Sequence, residues 1–190
     1  VDQNPFTNCY CTSTATTVDD EDIFNVTMGT LNNSSTCATL APGPGSAKNR
    51  YSNYKTLTPG NIVTGNMPFS VQVGTCGGNF SNAIAMWIDY NQNGAFETTE
   101  KVYGSPSTTV GPHVETGFAA IPSTALTGVT GMRVIVDENT STAMLPCGTY
   151  AWGETEDYLV NIQPCVPLSG ITTPATVTAE CSGIGIITAN

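Results

Sequence analysis

The chain never holds a helical rhythm. No window keeps apolar residues at i, i+3, i+4 and i+7 for three turns, because Gly, Pro or Asn-Gly interrupts almost every candidate. It carries instead short runs of β-branched and aromatic residues. Phe69-Ser-Val71-Gln-Val73 alternates, while Ile84-Ala-Met86-Trp87-Ile88 and Met132-Arg133-Val134-Ile-Val136 are continuous or nearly so. Tyr158-Leu-Val160-Asn-Ile162 closes the series and Ile23 to Met28 opens it. Short β-rich runs parted by Gly, Pro and Asn clusters predict an all-β fold, an antiparallel β-sandwich of jelly-roll or Ig-like kind. Residues 41–46 and 104–112 read as loops.

Charge is scarce and one-sided. Five Lys+Arg face fifteen Asp+Glu, a net charge of −10 from only 11% charged residues, and five cations cannot line a phosphate backbone. Nucleic acid is therefore not an expected partner. No stretch of eighteen apolar residues exists, so no membrane insertion is expected. Seven cysteines (Cys9, Cys11, Cys37, Cys76, Cys147, Cys165, Cys181) are scattered and a lone histidine, His113, adds no ligand pair. That pattern disfavours zinc and predicts disulfides in an extracellular, secreted or cell-surface, setting. The odd count leaves one thiol free or paired outside the chain. The sequence begins at Val1 with no Met and no leader, which reads as a processed product or an excised piece.

A seam falls at Gln163-Pro164-Cys165-Val-Pro167. It divides a sandwich over 1–163 from a short extended C-terminal segment over 164–190, too short to bury a core of its own. The segment is expected to dock on the sandwich, to begin a further domain, or to add a strand to a neighbouring molecule through its apolar Ile184 to Ile187 ending.

The most informative segment is Asp89-Tyr-Asn91-Gln-Asn93-Gly94-Ala95-Phe-Glu97-Thr-Thr-Glu100, which satisfies the calcium-loop pattern D-x-[DN]-x-[DN]-G-x5-E. Calcium (Ca2+) takes six to eight oxygens, and alternate residues of a tight loop can point them inward. Asp89, Asn91, Asn93, the Ala95 backbone carbonyl and Glu100 are the expected ligands, with Gly94 at the sharp turn. A strand enters the loop, so this would be a calcium loop on a β-scaffold. The competing reading is a plain hairpin turned at Asn93-Gly94.

A second acidic group lies in Trp152-Gly-Glu154-Thr155-Glu156-Asp157-Tyr158. On a strand, Glu154, Glu156 and Tyr158 share one face and Thr155 and Asp157 the other. Glu154, Glu156 and Asp157 are candidate ligands of the same cation or partners of Arg133, unless they mark a solvated edge strand. The acids Asp19 to Asp22 form a third cluster without an assigned role. Catalysis finds little support. The acidic strand misses the E-x-D-x-(x)-E pattern of some sandwich glycosidases, there is no G-x-S-x-G elbow, and His113 sits in an expected exposed loop.

Residues 85–162 resemble a GEVED domain, a module of large secreted and surface proteins of Bacteroidota-type bacteria. The resemblance rests on Met86-Trp-Ile-Asp89-Tyr-Asn91-Gln-Asn93-Gly94-Ala-Phe96 with Glu100-Lys-Val102, then Ile121-Pro-Ser123, Gly131-Met-Arg133-Val134, Pro146-Cys147-Gly148 and Gly153-Glu-Thr-Glu-Asp-Tyr158. Cys9-Tyr-Cys11-Thr and Ile23 to Gly29 are similar to the lead-in that precedes this module. The family often has an acid where this chain has Asn93, and its namesake valine is Thr155 here. The resemblance implies a β-sandwich accessory module without enzymatic activity. The expected function is a calcium-stabilised extracellular module for adhesion or for building a surface structure or filament, self-association running through the C-terminal strand. The alternative is a carbohydrate-binding accessory module of a secreted hydrolase, with Trp87, Tyr90, Tyr103 or Trp152 stacking on a glycan.

Overall fold

The computed structural model describes residues 10–165; Cys9, Cys181 and the Ile184–Ile187 ending lie outside them. Each of the five runs forms a strand. They are β2 (Glu21–Met28), β6 (Gly65–Thr75), β7 (Ser81–Ile88), β11 (Gly128–Asp137) and β13 (Gly153–Gln163). Shorter strands complete the set: β1 (Ser13–Ala15), β3 (Leu31–Ser34), β4 (Tyr51–Asn53), β5 (Gly60–Val63), β8 (Lys101–Gly104), β9 (Thr109–Val110), β10 (His113–Ile121) and β12 (Gly148–Tyr150). The sandwich is as expected. One sheet runs β10-β6-β2-β3, and the larger runs β4-β13-β11-β7-β8, with β5 beside β13 and β9 beside β7.

Three details differ from the sequence reading. The long strands pair antiparallel, but β4 and β5 both join β13 in parallel, and β1 pairs β12 in parallel. The 104–112 stretch holds the end of β8 and all of β9, which pairs Ser81 and Asn82. His113 is not in an exposed loop: it opens β10, with its side chain mostly covered, Nδ1 2.9 Å from the Gly111 carbonyl and Nε2 3.7 Å from Glu115.

The core lies between the sheets. Ile23, Val26, Val71, Val73, Ile84, Met86, Val134, Val136, Val160 and Ile162 are fully buried there. A second apolar cluster covers the outer face of the larger sheet, where Ala83, Ala85, Trp87 and Ile135 meet Phe96 and Met144 from the loops, with Tyr10 and Tyr150 packed against them. This explains the continuous runs: β7 and β11 are covered on both faces, so neither face needs polar residues. Trp87 is 0% exposed, and Lys101 Nζ sits 4.9 Å from its ring centroid while donating to the Ser141 and Met144 carbonyls. Two disulfides, Cys11–Cys147 and Cys37–Cys76, tie the lead-in and the β3–β4 connection to the sandwich.

Candidate functional site

The apolar run of β7 ends at Ile88, and the next residue starts the twelve-residue loop that leads to β8. β7 and β8 do pair as an antiparallel hairpin, yet Asn93-Gly94 is one bend inside a long connection and not a two-residue turn. Gly94 has φ +83°, a left-handed backbone that a side chain would strain. A 3₁₀ turn, Thr98–Glu100, closes the loop and swings Glu100 back toward its start.

The loop folds around its own oxygens. Asp89 Oδ1 accepts from the Asn93 amide (3.1 Å), and Oδ2 from the Gly94 amide (3.0 Å) and the Tyr10 hydroxyl (2.8 Å). Asn91 Oδ1 accepts from the Asn93 amide, and Asn93 Oδ1 from the Ala95 amide, both at 2.9 Å. Glu100 accepts from the amides of Asn91 (3.3 Å) and Glu97 (3.2 Å). Side chains at alternate positions are thereby drawn to one side, and each carboxylate keeps further lone pairs. Asp89 and Glu100 are both 0% exposed, and among the described residues neither has a Lys or Arg partner. Burial pushes the Glu100 carboxyl above its ordinary value; the amides of Glu97 and Asn91 oppose that, and the charges of Asp89 and Glu97 add to it. Two buried carboxylates near one another and lacking a protein cation are an anionic pocket. No group of three His, Cys, Asp or Glu side chains converges as a metal cluster among the described residues. A cation here would draw on two carboxylates, two amide oxygens and the Ala95 carbonyl.

The acids of β13 lie elsewhere. β11 separates β13 from β7, and Glu154 pairs with Val136, which pairs in turn with Ile84, four residues before the end of β7. β13 is interior to its sheet, and Glu154, Glu156 and Asp157 are all buried, so it is not a solvated edge. Alternate faces separate them as the strand period requires. Glu154 and Glu156 point between the sheets and meet Asp22 of β2. Glu154 accepts from Ser52 Oγ (2.6 Å) and the Ile23 amide (3.0 Å), and Glu156 from the Tyr158 hydroxyl (2.6 Å). Burial, above all, raises the carboxyls of all three; that of Glu156 stands at about 8. Asp157 points outward and takes a bidentate pair of bonds from Arg133 Nε and Nη2, each 2.7 Å, plus one from the Tyr51 hydroxyl. Thr155 shares that outer face, bonded to Ser13 and Tyr150. Asp22 joins this group only through the fold: it comes from the Asp19–Asp22 cluster and lies far from β13 in sequence. The same cluster sends Glu21 toward Glu138, whose carboxyl is pushed up to about 7 by burial and by Glu21.

The model of the GEVED domain family matches residues 83–161. This segment is similar to a GEVED domain. It runs from β7 through β13 and so contains the Asp89–Glu100 loop, Arg133 and the acidic strand, while β1 to β6 precede it. The glycine that opens its Gly153-Glu-Thr-Glu-Asp motif has φ +115°, and a Cβ there would stand 2.1 Å from the Val136 carbonyl oxygen, so only glycine fits. Among solved structures, the chain is similar to the crystal structure of a CARDB domain from Pyrococcus furiosus, solved in complex with di-metal ions. That likeness covers 77% of this chain and 97% of the other, at 14% identity and a TM-score of 0.32. No curated protein matches the chain. Two disulfides fit an oxidising compartment, and among the described residues no helix is long and apolar enough to cross a membrane.

Proposed function

We propose that the chain is a non-enzymatic, calcium-binding extracellular β-sandwich module that serves cell-surface adhesion or the building of an extracellular structure. One observation carries the calcium reading: Asp89 and Glu100, at the first and twelfth positions of the loop, are completely buried without a protein cation among the described residues. Calcium would neutralise them and complete its shell with Asn91, Asn93 and the Ala95 carbonyl. Its role is rigidity, since the loop joins β7 to β8 and, through Tyr10, holds the lead-in against the larger sheet. Among the candidate glycan platforms Trp87 is buried, leaving Trp152, 45% exposed, as the open tryptophan.

The test is a pair of measurements on the whole chain. Isothermal titration with calcium chloride should give saturable heat. Calcium at a hundred times its Kd stabilises by about 2.7 kcal/mol, a rise of roughly 5 to 11 °C in Tm for a domain of this size. No heat together with an unchanged melt in chelator would refute calcium binding.

A further inference from the structure

Three of the five cations of this acidic chain, Lys48, Arg50 and Lys55, fall within eight residues of one another. The other two stand apart from this group, Lys101 over Trp87 and Arg133 on Asp157. Arg50 and Lys55 line a cleft of about 690 Å³ between β1 and the segment around β4. No Asp or Glu is among its described lining residues. In a protein of net charge −10 this is a local reversal of sign. Its walls include Tyr10, with Lys55 Nζ 5.9 Å from its ring centroid, Tyr51 and the hydroxyl-bearing stretch from Thr12 to Thr16. Both tyrosines are fixed from behind. Tyr10 stacks on Phe96 with centroids 4.2 Å apart and donates to Asp89, and Tyr51 donates to Asp157.

Arg50 supplies an independent observation. It makes no ion pair among the described residues, and its Nε is buried without a hydrogen-bond partner. That Nε is covered by protein, so a ligand would meet the terminal nitrogens of this guanidinium, and a carboxylate is the acceptor whose two oxygens match them. A cleft of this size encloses a ligand of drug-like dimensions. Tyrosine faces offer flat apolar surface to a sugar ring, and threonine hydroxyls exchange hydrogen bonds with ring hydroxyls.

We infer that this cleft binds an acidic saccharide, a uronic-acid-containing oligomer, with its carboxylate on Arg50 and its rings against Tyr10 and Tyr51. The inference names the ligand class for the surface-adhesion reading and rests on that reading, but not on calcium. At physiological ionic strength screening acts over about 8 Å, and of the two acids behind the wall tyrosines Asp157 is paired with Arg133 and Asp89 is buried.

The experiment titrates the whole chain with trigalacturonate, its methyl-esterified form and tetra-aspartate, in calcium and again in chelator. Trigalacturonate should saturate the protein in both buffers, and the ester, with the same rings and no charge, should bind more weakly by about tenfold or more. Arg50→Gln should lose a similar factor with an unchanged melting temperature, and Lys55→Gln is a second variant should the first not fold. Ring proton signals of Tyr10 and Tyr51 should shift on binding. Absence of saturable binding, equal affinity of the ester, or full affinity in both variants overturns the proposal. Tetra-aspartate binding as tightly as trigalacturonate overturns it in favour of an acidic peptide. A calcium reading that fails leaves the chelator titration intact, so the two failures are told apart.

Discussion

Replacing Glu156 with Gln asks whether the sandwich interior holds protons. Glu156 is 1% exposed, faces Asp22 of β2 and shares its face of β13 with Glu154, with no Lys or Arg paired to any of the three among the described residues. Burial is the main reason its carboxyl stands at about 8 against an ordinary 4.5, with the Asp22 charge adding to it. The folded state therefore keeps a proton that the unfolded chain has released at neutral pH. A carboxyl raised in this way contributes stability that is complete below about pH 4.5 and lost as pH rises through about 8. At about 1.4 kcal/mol per pH unit, the whole displacement corresponds to roughly 5 kcal/mol, shared with Asp22 and Glu154 because the three titrate together. Gln keeps the shape, and the hydroxyls of Tyr158 and Ser35 can turn to accept from its amide. The variant should melt with the wild type near pH 4 and above it near pH 9, by at most about 10 to 20 °C at 2–4 °C per kcal/mol, since Asp22 and Glu154 carry part of the displacement. Thermal melts followed by circular dichroism in chelator measure this directly. A wild-type profile that is flat over that range, or a variant with the same slope, would refute proton storage. Repeating the series in calcium separates the two roles open to these acids. Ligands of a calcium ion would give a flattened wild-type profile, whereas proton-holding carboxyls would not.

Other consequences can be checked alongside. Asp89→Ala removes the acceptor for the Asn93 and Gly94 amides and for Tyr10, so the rise in Tm on adding calcium should vanish while a smaller loss persists in chelator. Breaking Cys37–Cys76, 39 residues apart, with two serines should cost about 4 kcal/mol on a chain-entropy basis, read as a lower urea midpoint. Arg133→Met leaves Asp157 buried without its cation and should cost about 3 to 5 kcal/mol in the same assay; adding Asp157→Asn should recover part of it.

The long strands were legible because the buried side of each carries an apolar run, even where β2 and β13 open on buried acids. β10 was not, and its burial pattern says why. Val114 and Phe118 face solvent, while Glu115 and Gly117 turn inward, so the apolar alternation marks the wrong face. The three- and four-residue strands β1, β4, β5 and β12 are placed by their partners' register, too short to carry a period of their own. The Asp89–Glu100 loop was readable from spacing alone, and the structure draws its side chains inward. The acidic strand was readable only in part. Its alternation separates Asp157 from Glu154 and Glu156, and Arg133 answers Asp157. The burial of Glu154 and Glu156 with Asp22 depends on a contact between strands some 130 residues apart, which no local pattern encodes. Charge repulsion on one strand suggested a cation or solvent as the remedy; a low-dielectric interior offers a third, the neutral acid.

The Cys11–Cys147 bond also decides how the fold would carry tension. A pull between Tyr10 and Gln163 enters at Cys11, crosses the disulfide to Cys147 and leaves through β12 and β13. Residues 12–146 form a closed loop outside that load path, and the second disulfide lies wholly within it. Only residues 148–163 lie beyond the bond, at most roughly 55 Å at full extension, and β13 is already extended, so little of that length is slack. The segment that bears the load is the one flanked on one side by β11 and on the other by β4 and β5, whose hydrogen bonds must break before it lengthens. Under traction the chain would act as a short tether with a built-in stop, its Asp89–Glu100 loop lying within the closed ring and its cationic cleft, lined by Tyr10 and Cys11, at the point where the load enters.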